Sequence, residues 1–266
     1  MSRIALSVLD SELPEAAEYC GDRGLGIEVT AFAFPGNLGG GMNGLIRRHR
    51  ELLKGISPIS VHGPFFDLVA TSMDPLIVEV ARSRHLSAME AASSLGAEFY
   101  VAHTNYTPVI RNPGYREGWT GRMLDFWLPL ADRAAEAGMT ICFENLWEPT
   151  PEVQLELLES ARHDNMKATL DNGHVLVFSH LGSDEWVRRL GEYIVHMHLH
   201  DNGGETDQHL PAGQGIEDWG ALLAAVSECA PEAVLVAESG SLAASARSME
   251  MIRAELDGSG SVKTTR

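Results

Sequence analysis

Three segments of the chain have the pattern of buried strands: TICFENL at 140–146, ATLDNGH at 168–174 and IVHMHLHD at 194–201. Each contains apolar and β-branched residues, which favour a buried strand, and each reaches a histidine, aspartate or glutamate near its end. The sequence between them has the spacing and composition of helices. Regular alternation of strand and helix predicts parallel strands that are joined by helical crossovers.

Five further β-rich segments extend this alternation over the rest of the chain. They are RIALSVL from Arg3, GIEVTAF from Gly26, PISVHGPF from Pro58, FYVAHTN from Phe99 and AVLVAES from Ala233. Eight strands within 266 residues match a single eight-stranded α/β barrel. We therefore predict the α/β class, with one (β/α)8 TIM barrel domain over 1–257 and a polar, flexible tail over 258–266.

A doubly wound open sheet is the competing architecture. Such a sheet normally has a glycine-rich turn after its first strand, whereas residues 7–16 of this chain are SVLDSELPEA. Gly24, Gly96 and Gly138 each follow a helical segment and precede a strand, where a left-handed residue commonly ends a helix. The pattern favours the barrel.

The charge and cysteine content exclude several classes of protein. The formal net charge of −17 opposes attraction to phosphate and disfavours nucleic acid as a partner. No apolar segment is long enough to span a membrane, and the N-terminus does not resemble a secretory leader, so we expect a cytoplasmic protein. Three widely spaced cysteines predict neither a disulfide framework nor a thiolate metal site. A homo-oligomer is compatible with all of these features.

Metal-capable residues recur near the carboxyl ends of the predicted strands. They are His62, His103, Glu144, Asp171, His174, His198 and Glu238, with Asp207 and His209 on the loop after the seventh strand. Each has an ordinary structural interpretation when taken alone, such as a capping aspartate or a hydrogen-bonded turn histidine. In a closed barrel, however, the strand ends share one rim, so these side chains would converge. Their joint placement predicts a metal site.

Four other residues are predicted to have supporting, pocket-wall or surface positions. His196, His198 and His200 alternate along one strand and would project from one face, and we expect His196 and His200 to support His198 rather than to bind metal. Trp147 follows Glu144 on a loop and could form an apolar wall of the pocket. His85 lies in a helical segment and is predicted to be at the surface.

Several motifs resemble the xylose-isomerase-like barrel superfamily, which includes sugar isomerases, ketose epimerases and the zinc-dependent apurinic-site endonucleases (AP endonuclease family 2). The motifs are HGPF from His62, VAHTN from Val101, FEN from Phe143, LDNGH from Leu170, MHLHDN from Met197, DQHLPAGQGIEDW from Asp207 and ESG from Glu238. They cover nearly the whole chain. They are specific for the fold and the metal site and much less so for the reaction.

The branches of the superfamily imply different centres. In the isomerase and epimerase branch, one divalent ion is held by residues that match Glu144, Asp171, His198 and Glu238, and the two glutamates also act as acid and base. In the endonuclease branch, nine residues hold three zinc ions, and their matches here are His62, His103, Glu144, Asp171, His174, His198, Asp207, His209 and Glu238. All nine positions carry suitable residues in this chain.

The segment after the seventh strand departs from the endonuclease pattern. It is HDNGGETDQH at 200–209, without the basic residue that the endonucleases usually have there. The form HDN followed by DQHLPAGQG is similar to a bacterial group described as sugar phosphate isomerases or epimerases. The resemblance thus implies an isomerase or epimerase more than a nuclease.

We therefore expect an enzyme that uses Mn²⁺, Mg²⁺, Co²⁺ or Zn²⁺, with one to three ions, on a small polyol or sugar, with or without phosphate. Glu144 and Glu238 would transfer protons through an enediolate, and His62, His174 and His209 would hydrogen-bond sugar oxygens. A multinuclear zinc hydrolase is the alternative, and a catalytically silent metal or sugar binder is the third hypothesis.

Overall fold

Eight parallel strands form a closed barrel in the structure, a computed structural model that describes residues 3–258. Each strand pairs with its neighbour in chain order, and β8 pairs with β1. The strands are β1 Arg3–Val8, β2 Gly26–Val29, β3 Ile59–His62, β4 Phe99–His103, β5 Thr140–Glu144, β6 Met166–Asp171, β7 Ile194–Leu199 and β8 Val234–Ala237. The predicted single (β/α)8 TIM barrel is confirmed.

Helices connect consecutive strands on the outside of this barrel. They are α1 Leu13–Gly21, α2 Met42–Leu52, α3 Pro75–Leu95, α4 Tyr115–Glu136, α5 Glu152–Ala161, α6 Asn172–Phe178, α7 Ser183–Leu190, α8 Trp219–Cys229 and α9 Leu242–Leu256. The long helix α3 shows why these boundaries arise. The Asp74 carboxylate accepts a hydrogen bond from the Leu76 N–H (2.9 Å) at its start, and Gly96 ends it with φ +72°.

The strand register brings the predicted site residues together at one rim. His103 at the end of β4 lies opposite Glu144 at the end of β5, and Asp171 at the end of β6 lies opposite His198 in β7. Because all eight strands are parallel, their carboxyl ends lie on the same side of the barrel. Residues that are far apart in sequence therefore share a single mouth.

The segment ATLDNGH differs from the predicted continuous strand. The strand β6 ends at Asp171, and the next residue begins α6. Asp171 is the cause, because its Oδ1 accepts a hydrogen bond from the His174 N–H (2.7 Å) and so caps the helix. His174 is consequently a residue of the first helical turn, from which its ring still reaches the rim.

His85 is buried, so its predicted surface position is wrong. Its Nδ1 forms a hydrogen bond with the hydroxyl of Tyr100 (2.9 Å), and its ring packs edge-on against Trp127. Burial lowers the pKa of His85 to about 3, so the ring is neutral in the core. A histidine on the barrel-facing side of a helix needs only one polar partner, and the neighbouring strand β4 supplies it.

Two further predictions concern the chain as a whole. Cys20, Cys142 and Cys229 are free thiols, as the cysteine spacing predicts. Within residues 3–258, no helix combines the length and the apolar character that crossing a membrane requires. The predicted tail at 258–266 lies, apart from Gly258, outside the residues that the structure describes.

Candidate metal centre

A cavity of about 240 Å³ opens at the carboxyl rim of the barrel. Carboxylates, histidines and several apolar side chains meet there. The lining residues are Ser7, Val8, Leu9, Glu12, Thr30, Ala33, Phe34, His62, Phe65, Phe66, His103, Glu144, His174, His209, Glu238, Gly240 and Ser241. Residues from most of the strand ends thus contribute to one pocket.

Several of the other candidates point to Glu144. Its side chain is only 2% exposed, with Oε2 lying 3.2 Å from Nε2 of His62 and 3.3 Å from Nε2 of His103. Its Oε1 lies 2.9 Å from Nδ1 of His198. Burial raises the pKa of Glu144, but the charge of His198 and the hydrogen bonds from His198 and His62 outweigh burial and hold the pKa well below its usual value. Glu144 is therefore ionised.

His198 is contacted by three carboxylates through the same ring nitrogen. Its Nδ1 lies 2.9 Å from Glu144 Oε1, 3.2 Å from Glu238 Oε2 and 3.8 Å from Asp171 Oδ2. These four residues are the predicted ligand set of a single ion. Ligand atoms of Glu144, Asp171 and His198 lie within 4.8 Å of one another, close enough to share one ion.

Three further groups of ligand atoms lie within the same separation. Glu28, His196 and His198 form a buried group, and the other two groups lie at the rim. One consists of His62, His103 and Glu144. Burial lowers the pKa of His103 to about 4, so this ring is neutral and can offer a lone pair. The other group consists of His200, His209 and Glu238. Glu144 thus belongs to two of the candidate groups at the rim.

Asp207 connects the loop after β7 to the rest of the site. Its Oδ2 lies 3.0 Å from Nε2 of His209 and 3.5 Å from Nε2 of His174. Burial alone would lower both histidine pKa values, but nearby acidic groups reverse this effect. Asp171 and Asp207 raise the pKa of His174 to about 10, and Asp207 and Glu238 raise that of His209 to about 9. The structure therefore brings all nine predicted residues to one region.

The loop that carries Asp207 and His209 is held in place by the buried carboxylate of Asp201. This carboxylate accepts hydrogen bonds from Trp219 Nε1 (3.0 Å) and from the Gly213 N–H (3.0 Å). His209 itself has φ +48°, a left-handed conformation that is uncommon outside glycine. The segment DQHLPAGQGIEDW thus folds back onto the end of β7 and brings its polar side chains to the cavity.

The donor chemistry of this region fits a divalent cation. Four carboxylates, Glu144, Asp171, Asp207 and Glu238, converge with histidines in a largely buried space. Buried carboxylates that lie close together repel one another unless positive charge compensates them. Oxygen and imidazole nitrogen ligands suit hard or borderline ions such as Mg²⁺, Mn²⁺, Co²⁺ and Zn²⁺.

Residues 42–255 match a known family model, that of the xylose isomerase-like TIM barrel. The chain belongs to this family. The resemblance inferred from the motifs is confirmed.

One relative of this xylose isomerase-like barrel is the uncharacterized protein MJ1311 of Methanocaldococcus jannaschii, which is 27% identical over 206 residues. The matched region covers 75% of this chain and 70% of the relative. The TTHB071 protein from Thermus thermophilus, whose crystals were soaked with ZnCl2, is 27% identical, with a TM-score of 0.81 and coverage of 97% and 98% of the two chains. A D-tagatose 3-epimerase-like protein is 24% identical, with a TM-score of 0.80 and the same coverage. The last likeness shows the fold.

Glu28 belongs to the site region of this xylose isomerase-like barrel, although it was not among the predicted residues. It lies in β2, is fully buried, and has Oε1 2.9 Å from Nε2 of His198. Its segment GIEVTAF does contain the relevant signal, an acidic residue between isoleucine and valine. A carboxylate in a buried strand needs a partner, so this signal could have marked Glu28 as a candidate.

Trp147 differs from its predicted place. Trp147 is 43% exposed and does not line the cavity, whose apolar wall comes from Phe34, Phe65 and Phe66. His200 belongs to one of the candidate ligand groups at the rim, while its Nε2 lies 3.1 Å from Oδ1 and Oδ2 of Asp171. His196 contacts Glu28 and does not line the cavity.

Proposed function

We propose that the protein is a divalent-metal-dependent isomerase or epimerase that acts on a small, uncharged sugar or polyol. One observation carries this proposal. Glu144 ends β5 and Glu238 follows β8, and the two side chains line the same cavity and contact Nδ1 of His198. Two carboxylates at one cation site are what a two-base proton transfer next to a carbonyl requires.

Glu144, Asp171, His198 and Glu238 would hold the cation. When bound, it supplies positive charge that acidifies the C–H bond next to the substrate carbonyl and stabilises the enediolate. Asp171 is fixed for this task because its carboxylate also caps α6 and contacts His200. Glu144 is fixed by the three histidines around it.

The two glutamates differ in how they can move a proton. Glu144 is almost fully buried and ionised, whereas the Glu238 side chain is 22% exposed. One carboxylate removes the proton from the carbon next to the carbonyl, and the protonated partner returns a proton to the opposite face or to the neighbouring carbon. The first outcome is epimerisation and the second is isomerisation. Either leaves the substrate with its original composition.

The lining of the cavity favours an uncharged substrate over a sugar phosphate. Within residues 3–258, the side chains that line it include no lysine or arginine. Arg116, near the loop after β4, forms an ion pair with Glu156 (2.6 Å) and is not part of the lining. Phe34, Phe65 and Phe66 supply apolar surface for the C–H faces of a sugar, and the histidines supply hydrogen bonds to its hydroxyls.

The proposal is tested with a panel of free aldoses and ketoses in D2O, with the matched sugar phosphates beside them. NMR detects deuterium that enters the substrate carbon as the enzyme exchanges its proton. We expect exchange and interconversion with at least one free sugar, and loss of both in Glu144→Gln and Glu238→Gln.

The matched control is Glu148→Gln, because Glu148 is equally buried but accepts hydrogen bonds from Thr104 and Leu146 outside the cavity lining. Retained turnover in the metal-loaded Gln variants of Glu144 and Glu238 would falsify the assignment.

A multinuclear zinc hydrolase is the second candidate, and the group His62, His103 and Glu144 favours it. Together with the groups at His198 and His209, it offers ligands for more than one ion. Several cations would supply the charge that stabilises a phosphate or acyl oxyanion. Elemental analysis of protein purified without chelators separates the candidates. About three zinc ions per chain would favour the hydrolase, and a single ion would favour the isomerase.

A further inference from the structure

A buried polar cluster lies behind His198, on the side away from the cavity carboxylates. It consists of Glu28 in β2, Ser60 in β3, and His196 and His198 in β7, all of them buried. Glu28 Oε1 lies 2.9 Å from Nε2 of His198, and Glu28 Oε2 lies 3.3 Å from Nε2 of His196. The hydroxyl of Ser60 donates a hydrogen bond to Glu28 Oε2 (3.0 Å). We call this group the Glu28 cluster.

The two nitrogens of His198 therefore face carboxylates on opposite sides. Nδ1 points to Glu144 and Glu238 at the cavity, and Nε2 points to Glu28. A neutral imidazole that offers Nδ1 to a cation must carry its proton on Nε2. In metal sites, a ligating histidine commonly directs its other N–H to a carboxylate, which fixes the tautomer and raises the basicity of the ligand.

We propose that Glu28 is a positioning residue, which holds the Nε2–H tautomer of His198 and so presents Nδ1 to the cation. The inference rests on the metal centre of the proposed function and adds a residue that lies outside the cavity lining. Ser60 in turn orients the carboxylate of Glu28. A negative charge on Glu28 also makes the imidazole of His198 a stronger ligand for a cation.

The cost of burying the Glu28 cluster argues against a purely structural role. Glu28 lies between Ile27 and Val29 in a strand that is otherwise apolar. In the part of the chain that the structure describes, Glu28 Oε1, His196 Nε2 and His198 Nε2 have no hydrogen bond of aligned geometry, although they are in ion-pair contact. A well-packed apolar side chain at position 28 would avoid this cost, so filling the barrel does not explain the carboxylate.

The experiment compares the metal affinity of wild type, Glu28→Gln and the matched control Glu148→Gln. Each protein is stripped with a chelator and titrated with Mn²⁺ and Zn²⁺ against a competing indicator dye. We expect Glu28→Gln to raise the Kd by about 10- to 100-fold without changing the number of bound ions. We expect Glu148→Gln to remain within about two-fold of wild type, because its carboxylate does not contact a candidate ligand.

Two further measurements separate positioning from a general loss of structure. Ser60→Ala leaves the carboxylate of Glu28 in place and should raise the Kd by less than Glu28→Gln does. In the zinc-loaded protein, nitrogen NMR of His198 should show protonated Nε2 in wild type, and this resonance should broaden or shift in Glu28→Gln. Circular dichroism should show the same helix content in all variants.

Three outcomes would overturn the inference. Equal Kd values for Glu28→Gln and wild type would remove Glu28 from the metal site while leaving the proposed function intact. Loss of one bound ion in Glu28→Gln, with the affinity of the others unchanged, would make Glu28 a ligand of its own ion between His196 and His198. No binding of divalent metal by wild type would overturn the metal centre and this inference together.

Discussion

The imidazole rings of His200 and His209 stack face to face, with centroids 4.0 Å apart and planes 8° apart. One ring follows β7 directly, and the other belongs to the loop that comes after it. The close approach of Gly173 to the edge of the His200 ring limits where this pair can lie. A Cβ at position 173 would lie 1.9 Å from Cε1 of His200. Glycine at the start of α6 is therefore a requirement of the site.

We predict that Gly173→Ala displaces His200 and weakens the site. The added methyl group cannot be accommodated without moving the ring away from Asp171 and His209, so we expect a loss of about 1–3 kcal/mol in the free energy of unfolding. Metal affinity should fall as well. Thermal unfolding and metal titration measure the two effects.

Gly121→Ala is the matched control for this change. Gly121 lies inside α4, and a Cβ there would have no atom within 4 Å. Alanine in a helix interior is favoured over glycine by about 0.5–1 kcal/mol, so this variant should be as stable as wild type or more stable. Equal behaviour of Gly121→Ala and Gly173→Ala would show that His200 does not depend on Gly173.

The pH dependence of the metal-free protein follows from the raised histidine pKa values. His174 has its pKa raised to about 10 and His209 to about 9, against an ordinary value of 6.5 in the unfolded chain. Their ion pairs with acidic neighbours therefore contribute stability that is fully present below about pH 6.5. This contribution is lost as the pH rises through about 9 to 10. We predict that the melting temperature of the chelator-treated protein falls between about pH 7 and pH 10.

Asp207→Asn provides the comparison for this pH series. Replacing the carboxylate removes a partner of both histidines, so the fall in melting temperature should become shallower. Asp164→Asn is the control, because Asp164 is exposed on the loop before β6, away from the site. The same pH profile in wild type and Asp207→Asn would show that Asp207 does not hold these histidines in their charged form.

The identity of most rim residues could be predicted from sequence because they lie near strand ends, where the register is set by the barrel. His103 and Glu144, for example, occupy opposite positions of β4 and β5. The same reasoning could not identify Glu28 as a site residue. It lies within a strand and points into the barrel, and its importance depends on contacts with β3 and β7, which sequence spacing does not reveal.

Divalent metal should stabilise the protein through the ligands around His198. Metal that binds only the folded state raises the free energy of unfolding, by about 2.7 kcal/mol at a concentration about 100 times the Kd. We predict that Mn²⁺ or Zn²⁺ raises the melting temperature of the stripped protein and that His198→Gln removes most of this shift. His163→Gln should keep the shift, since His163 lies outside the cavity lining beside Asp132. A shift of equal size in His198→Gln would contradict the assignment of His198 as a ligand.

The apolar wall of the cavity should contribute to substrate binding more than to chemistry. Phe66 is 46% exposed and packs against Phe65 and Phe34, with ring centroids 4.1 and 5.5 Å away. Removing it exposes the wall and loosens this aromatic group, without touching Glu144 or Glu238. We predict that Phe66→Ala lowers kcat/KM for a free sugar by roughly five-fold, a cost of about 1 kcal/mol, mostly through KM.

Trp147→Ala is the matched control, because Trp147 has a similar exposure of 43% but does not line the cavity. Its removal should leave KM nearly unchanged. Steady-state kinetics on both variants therefore decide which aromatic residues form the substrate wall. A larger effect on KM from Trp147 than from Phe66 would return Trp147 to the position that the sequence suggests and would require the loop after β5 to move toward the cavity when substrate binds.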